Sequence, residues 1–252
     1  MNVLLELRQL SRWFHRHEPA AVLAVNQVHL QLADGDFAVV VGPNGSGKTT
    51  LLNLIAGTLF PDQGSVLVDG LDITHWPDYR RSRLMARIFQ DPMHGTAPEL
   101  TVLDNFRLSF LRPKPKLLRW GTGLAFRKQV YDYIKELGMG LERYLDKEVR
   151  LLSGGQRQAI ALLMATFNPP RLLLMDEPTA ALDPRTSETV MQLADQLIQR
   201  HHLSCLMVTH NLKHALQYGN RLLVMGNGSI VADYPASPKK TLTLSDLQQY
   251  FY

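Results

Sequence analysis

An α/β fold with a mostly parallel sheet and a helical insertion is the architecture this sequence predicts, on three observations. Short apolar runs alternate with stretches of helical spacing along the 252 residues. One run, Phe37–Val41, is apolar on both faces, the pattern of a strand covered from both sides. Between about residues 99 and 166 strand signals fade and helical patterns replace them.

In chain order, the first β-rich runs are residues 3–7 and 25–32, followed by Phe37–Val41. A glycine-rich segment follows at once. Residues 49–57 then carry Leu51, Leu52, Leu54 and Ile55 at helical spacing and stop at a glycine. Pro61-Asp62-Gln63-Gly64 reads as a turn, with a strand after it at 65–68. The helical stretch includes a basic, proline-interrupted piece at 112–120. Strand signals return at 171–175, Ser204–Val208 and 221–224, separated by helical residues 183–201 and 212–219. The tail, 242–252, with Leu242, Leu244, Leu247 and Phe251, reads as a closing helix, a simple amphipathic cap.

Composition bounds the function classes. A hydrophobic content of 45% with 20% charged residues suits a globular domain rather than a disordered chain. Net charge +4 suits phosphate ligands or an anionic membrane surface, and is too small to argue for nucleic acid. One cysteine, Cys205, excludes an intrachain disulfide framework and, within its apolar run, reads as a buried strand residue. No window approaches the ~20 apolar residues of a membrane-spanning helix, and residues 1–10 lack the pattern of a signal peptide. Any membrane role is therefore expected through a partner.

Gly42-Pro43-Asn44-Gly45-Ser46-Gly47-Lys48-Thr49 fits G-x-x-x-x-G-K-[ST], between an all-apolar strand and an amphipathic helix. Glycines let backbone N–H groups turn inward around phosphates, and the helix aims its positive end at them. Lys48 would neutralise the β- and γ-phosphates of ATP, and the Thr49 hydroxyl would ligate Mg²⁺. Leu172-Leu173-Leu174-Met175-Asp176-Glu177 ends a buried strand in two acids, which strand alternation would aim in different directions. Asp176 would then serve the Mg²⁺ shell, and Glu177 would orient or deprotonate the attacking water.

Leu152-Ser153-Gly154-Gly155-Gln156 resembles the signature of the ABC ATPases, and the family's other motifs stand around it in their usual order. The resemblance covers about residues 4–232. It implies a P-loop NTPase core, an antiparallel β subdomain and an α-helical subdomain inserted at about 91–166, within one domain spanning 1–252. It implies ATP contacts from Gly42 through Thr49 and from Thr50. Phe14 resembles the aromatic that stacks on adenine, with Trp13 and His15 beside it as alternatives. Gln90 resembles the residue that senses Mg²⁺ and faces the membrane subunit, Asp183 the D-loop aspartate, and His210 the switch histidine on the γ-phosphate. His210 could itself serve as the base. Ser153 with the N–H groups of Gly154 and Gly155 would form an anion nest, Gln156 completing the signature. By family analogy this nest closes only on the nucleotide of a facing subunit, so two ATP molecules would be sandwiched head to tail between two ATPase subunits, and hydrolysis would release them.

A single ATPase unit, followed after His210 by too little chain for a regulatory barrel, resembles importer subunits. The expected partners are a second ATPase subunit, a transmembrane permease and, indirectly, a substrate-binding protein, at the cytoplasmic face of the membrane. The runs GGQRQAIALLMAT and FQDPMHGTAP resemble a subgroup associated with uptake of aromatic amino acids or similar small solutes. An exporter ATPase and a soluble ABC ATPase are the alternatives. Arg112, Lys114, Lys116, Arg119, Arg127 and Lys128 make the insertion basic, either as a face near anionic lipid or as a solvated lobe.

Overall fold

A computed structural model of the chain describes residues 2–112 and 123–251. Lys114, Lys116 and Arg119 of the basic piece, and Tyr252 of the tail, lie outside the described residues. Two long strands open the chain, β1 (Val3–Phe14) and β2 (Val22–Ala33). Then come β3 (Phe37–Val41), α1 (Lys48–Ala56), β4 (Gln63–Val68), β5 (Leu71–Asp72), α2 (Asp78–Arg81) and β6 (Met85–Ile88). Three helices follow, α3 (Val102–Leu111), α4 (Leu124–Lys135) and α5 (Gly154–Thr166). The rest alternates as β7 (Leu172–Asp176), α6 (Pro184–His201), β8 (Ser204–Val208), α7 (Leu212–Gln217) and β9 (Arg221–Gly226). An edge strand β10 (Ser229–Tyr234) and two short helices, α8 (Ala236–Lys239) and α9 (Leu244–Gln248), close it.

The strands form two sheets. A four-stranded sheet in the order β2-β1-β4-β5 is antiparallel throughout. A six-stranded sheet in the order β10-β9-β3-β8-β7-β6 is parallel except at its β9–β10 edge. The α/β architecture anticipated from the sequence, a mostly parallel sheet with an antiparallel subdomain, is therefore present.

The apolar pattern of the central strands explains the layering. In β3, Phe37, Val39 and Val41 face the helices α3–α6, while Ala38 and Val40 face α1 and the antiparallel sheet. β7 divides in the same way, with Leu173 and Met175 on one side and Leu172 and Leu174 on the other. Cys205 in β8 is fully buried, and burial pushes its thiol pKa up.

Three strands escaped the sequence reading, one of them the two-residue β5. β6 has only four residues and carries an arginine, Arg87, in an otherwise apolar run, and β10 is a half-exposed edge strand. The tail also differs from the single helix expected over 242–252. The Thr243–Asp246 capping box starts α9 only at Leu244, and the chain turns after Gln248 with Leu247 buried beneath it.

A buried cation fixes one end of α1. The Arg81 guanidinium donates to the carbonyls of Leu54 and Ile55 in that helix, and to those of Trp76 and Thr74. These bonds satisfy acceptors near the negative end of α1. Burial pushes the Arg81 pKa down to about 10.

Candidate functional site

The glycine-rich loop leaves β3 and enters α1 at Lys48. Gly47 caps the helix in the left-handed region, at φ 96°, and no side chain occupies the cap. A Cβ there would stand 2.1 Å from the Ala24 carbonyl of β2, so the close approach of the loop to β2 requires glycine. The first N–H groups of a nine-residue helix thus lack a side-chain acceptor, the arrangement that favours an anion. Lys48 is buried and folds back, donating to the carbonyls of Gly42 at 2.8 Å and Pro43 at 2.9 Å. Burial lowers its pKa, while Glu177 and Asp176 act electrostatically to raise it. The loop lysine and the two acids, far apart in sequence, therefore share one electrostatic neighbourhood.

The two acids do point to different partners, but strand alternation is not the reason. β7 ends at Asp176, and Glu177 already has φ 47°, a left-handed conformation uncommon for a residue with a side chain. Asp176 is buried and paired with Arg87, Nη2 to Oδ2 at 2.7 Å. Glu177 Oε2 lies 3.0 Å from Nδ1 of His210. His210 sits two residues beyond β8 and just before Asn211, whose side chain caps α7 by accepting from the Lys213 and His214 N–H groups. The imidazole is exposed, and if Glu177 is ionised, Nδ1 carries the hydrogen of this bond.

Gln90 follows β6 at the surface, and Thr49 is exposed on the first turn of α1. Gln158 of α5, almost fully buried, donates to the carbonyl of Phe89 and so ties that helix to the segment before Gln90. Thr49, Gln90 and Asp176 offer a hydroxyl, an amide and a carboxylate, an all-oxygen set suited to a hard cation such as Mg²⁺. Among the described residues no group of three His, Cys, Asp or Glu could hold a metal.

The signature segment opens α5. Ser153 is its N-cap, accepting from the Gln156 N–H at 3.3 Å while the Gln156 side chain accepts from the Ser153 N–H at 3.0 Å. Gln156 is thus the second half of a capping box, a role the sequence reading did not give it. Gly155 has its own local reason, since a Cβ there would lie 2.1 Å from Thr186 Cγ2 at the start of α6. Asp183 caps α6, accepting from the Arg185 and Thr186 N–H groups, and hydrogen bonding from the Thr186 side chain together with these N–H groups lowers its pKa. Phe14 ends β1, with the Arg12 guanidinium 5.4 Å from its ring centroid, while the backbone N–H of neighbouring Trp13 donates to Asp62.

Comparison with known proteins gives one answer. Residues 25–180 match the family described as ABC transporter. The chain is 39% identical over 249 residues to a tyrosine transport ATP-binding protein of Clostridioides difficile, covering 98% of each. It is 34% identical to a spermidine/putrescine import ATP-binding protein of Spiroplasma citri, of which it spans only 60%. Among solved structures, a nucleotide-free ATP-binding cassette superposes with TM-score 0.80 at 26% identity, covering 98% of this chain and 96% of that one. A dimeric cassette in a post-hydrolysis state, bound to ADP and Pi, superposes at 0.77 with 28% identity, covering 92% and 99%. Among the described residues no helix is long and apolar enough to cross a membrane.

Proposed function

The chain belongs to the ABC transporter family, and we propose that it is the ATP-hydrolysing subunit of an importer, active as one half of a head-to-tail pair. The observation that carries this reading is the local assembly of the loop, Lys48, Asp176, Glu177 and His210 into one electrostatic and hydrogen-bonded group. The signature at the start of α5 is the part held in reserve for a neighbour.

The loop N–H groups from Gly42 to Thr50 would cradle the phosphates, and Lys48 would exchange its carbonyl partners for phosphate oxygens. Phe14 would stack on adenine. Thr49, Asp176 and Gln90 would hold Mg²⁺, which neutralises charge on the phosphates when bound. Glu177 would orient the attacking water and take its proton as the water oxygen bonds to the γ-phosphorus and the bond to ADP breaks. His210 would fix Glu177 through Nδ1. A proton on Nε2 would let the ring donate to the γ-phosphate as well. Across the pair, Ser153 with the Gly154 and Gly155 N–H groups would close on the partner's nucleotide, Asp183 standing beside them.

The similarity to a tyrosine transport protein supports an amino-acid cargo, delivered through a permease and a binding protein, with this subunit on the cytoplasmic face. Complementation tests the paired site. Lys48→Ala and Ser153→Arg proteins are each expected to lose ATP turnover, and mixing them should restore it, because one intact loop then faces one intact signature. A mixture no more active than its parents would overturn the paired site. For direction, transport into proteoliposomes loaded with the co-purified permease should require the external binding protein and ATP on the subunit's side.

A further inference from the structure

Arg87 is the one strong feature of the site that the roles above leave unused. Its Nη2 donates to Asp176 Oδ2 at 2.7 Å and its Nη1 to Asn53 Oδ1 at 2.7 Å. Its guanidinium carbon lies 4.8 Å from the centroid of the Phe89 ring. The side chains of Arg87 and Asp176 are 13% and 10% exposed, so this is a shielded pair rather than a screened surface contact. Asn53 belongs to α1, the helix behind the phosphate loop, and Phe89 immediately precedes Gln90. The guanidinium is therefore clamped between the phosphate-loop helix, the end of β7 and the segment leading to Gln90. It cannot swing away without breaking all three contacts.

We propose that Arg87 is a fixed counter-cation for Asp176, and that it sets how strongly nucleotide binding depends on Mg²⁺. This rests on the reading of Asp176 as the acid of the Mg²⁺ shell. A carboxylate in that position faces two claimants. Mg²⁺ brings two positive charges that come and go with the nucleotide, and Arg87 brings one that stays. The resident charge repels the metal and attracts the phosphates, both in a shielded place where unit charges interact strongly. Holding Asp176 half-neutralised, Arg87 keeps metal-free ATP bindable and reduces what Mg²⁺ adds. Removing the charge should do the reverse, weakening metal-free ATP and tightening the metal complex.

The test measures affinity for a fluorescent N-methylanthraniloyl ATP in EDTA and in excess Mg²⁺, for the parent, Arg87→Gln, Arg87→Lys and Asp176→Asn. Arg87→Gln keeps a hydrogen-bonding group and loses the charge, and should raise the ratio of the two dissociation constants by roughly tenfold or more. Arg87→Lys keeps the charge and should hold the ratio near the parent's. Binding of Mn²⁺ to the ATP-loaded proteins, followed by electron paramagnetic resonance, gives a second readout and should be tighter in Arg87→Gln. The two outcomes separate cleanly. If Asp176→Asn leaves the Mg²⁺ effect intact, the reading of Asp176 fails. If Asp176→Asn abolishes the effect while Arg87→Gln matches the parent in ratio and Mn²⁺ affinity, the counter-cation role is wrong and the site stands. Should Arg87→Gln not fold, a ratio in Arg87→Lys moved as far as tenfold, despite the retained charge, would overturn the proposal. A parent-like ratio together with parent-like Mn²⁺ affinity in Arg87→Lys would support it.

Discussion

Replacing Gly155 with alanine should weaken the joint between α5 and α6, and the structure sets the size of the effect. A Cβ at this position falls 2.1 Å from Thr186 Cγ2, against an ordinary contact of 3.4–4 Å. One of the two helices must retreat by roughly 1 Å or the threonine must leave its rotamer, and such overpacking costs about 1–3 kcal/mol. Alanine offsets up to about 1 kcal/mol through its better helix propensity. The net expectation is a loss of about 1–2 kcal/mol, read as a lower urea midpoint at unchanged slope. Thr186→Ser deletes the offending methyl and keeps both the hydroxyl and the N–H that donates to Asp183. The Gly155→Ala, Thr186→Ser double variant should therefore recover at least half of the loss. If the two substitutions instead add independently, the steric account of the signature glycine is refuted.

Three further outcomes follow from the geometry. Glu177→Gln should keep ATP affinity within a few-fold and lower turnover by about 10²–10⁴, the range for a lost general base; near-normal single-turnover hydrolysis would transfer that role to His210. Arg81 is itself 0% exposed, and Arg81→Met, which strands the four carbonyls it donates to, should cost about 2–4 kcal/mol in urea denaturation, with nucleotide affinity falling only through loosening of α1. Lys239, 4% exposed and donating to the carbonyls of Tyr218 and Gly219, has its pKa pushed by burial from 10.5 to about 8. Between those values the unfolded chain binds more protons than the folded one, so this group's contribution to stability rises with pH across the window. The melting temperature of the parent relative to Lys239→Met should accordingly increase from about pH 8 to pH 10, and a flat difference would rule this out.

Much of the site was legible in the sequence because its parts are contiguous strings. The loop at Gly42–Thr49, the Asp176-Glu177 pair and the signature each combine a local backbone shape with local chemistry, and a short window holds both. The central strands were legible for the related reason that burial on two faces leaves no polar residues, as in Phe37–Val41. What escaped was set by distance or by backbone detail. The Arg87–Asp176 pair joins residues 89 apart, and no local pattern announces it beyond a lone arginine in an apolar run. The left-handed φ of Glu177 follows from where β7 stops, and strand alternation could not supply it. Gly155 looked like a ligand-binding glycine, and only the packing of Thr186 against it exposed a structural reason. Phe14, Trp13 and His15 remained alternatives because choosing among adjacent aromatics needs the strand's pairing and its neighbours.

The claim that the signature acts on a neighbour's nucleotide is tested most directly by the mass of the ATP-loaded protein in solution. Glu177→Gln, loaded with ATP and Mg²⁺ and measured by multi-angle light scattering, should run at twice the 28.5 kDa of one chain. The Glu177→Gln, Ser153→Arg double variant should bind ATP equally well and remain at the mass of one chain. A double variant that still pairs on ATP would contradict the account.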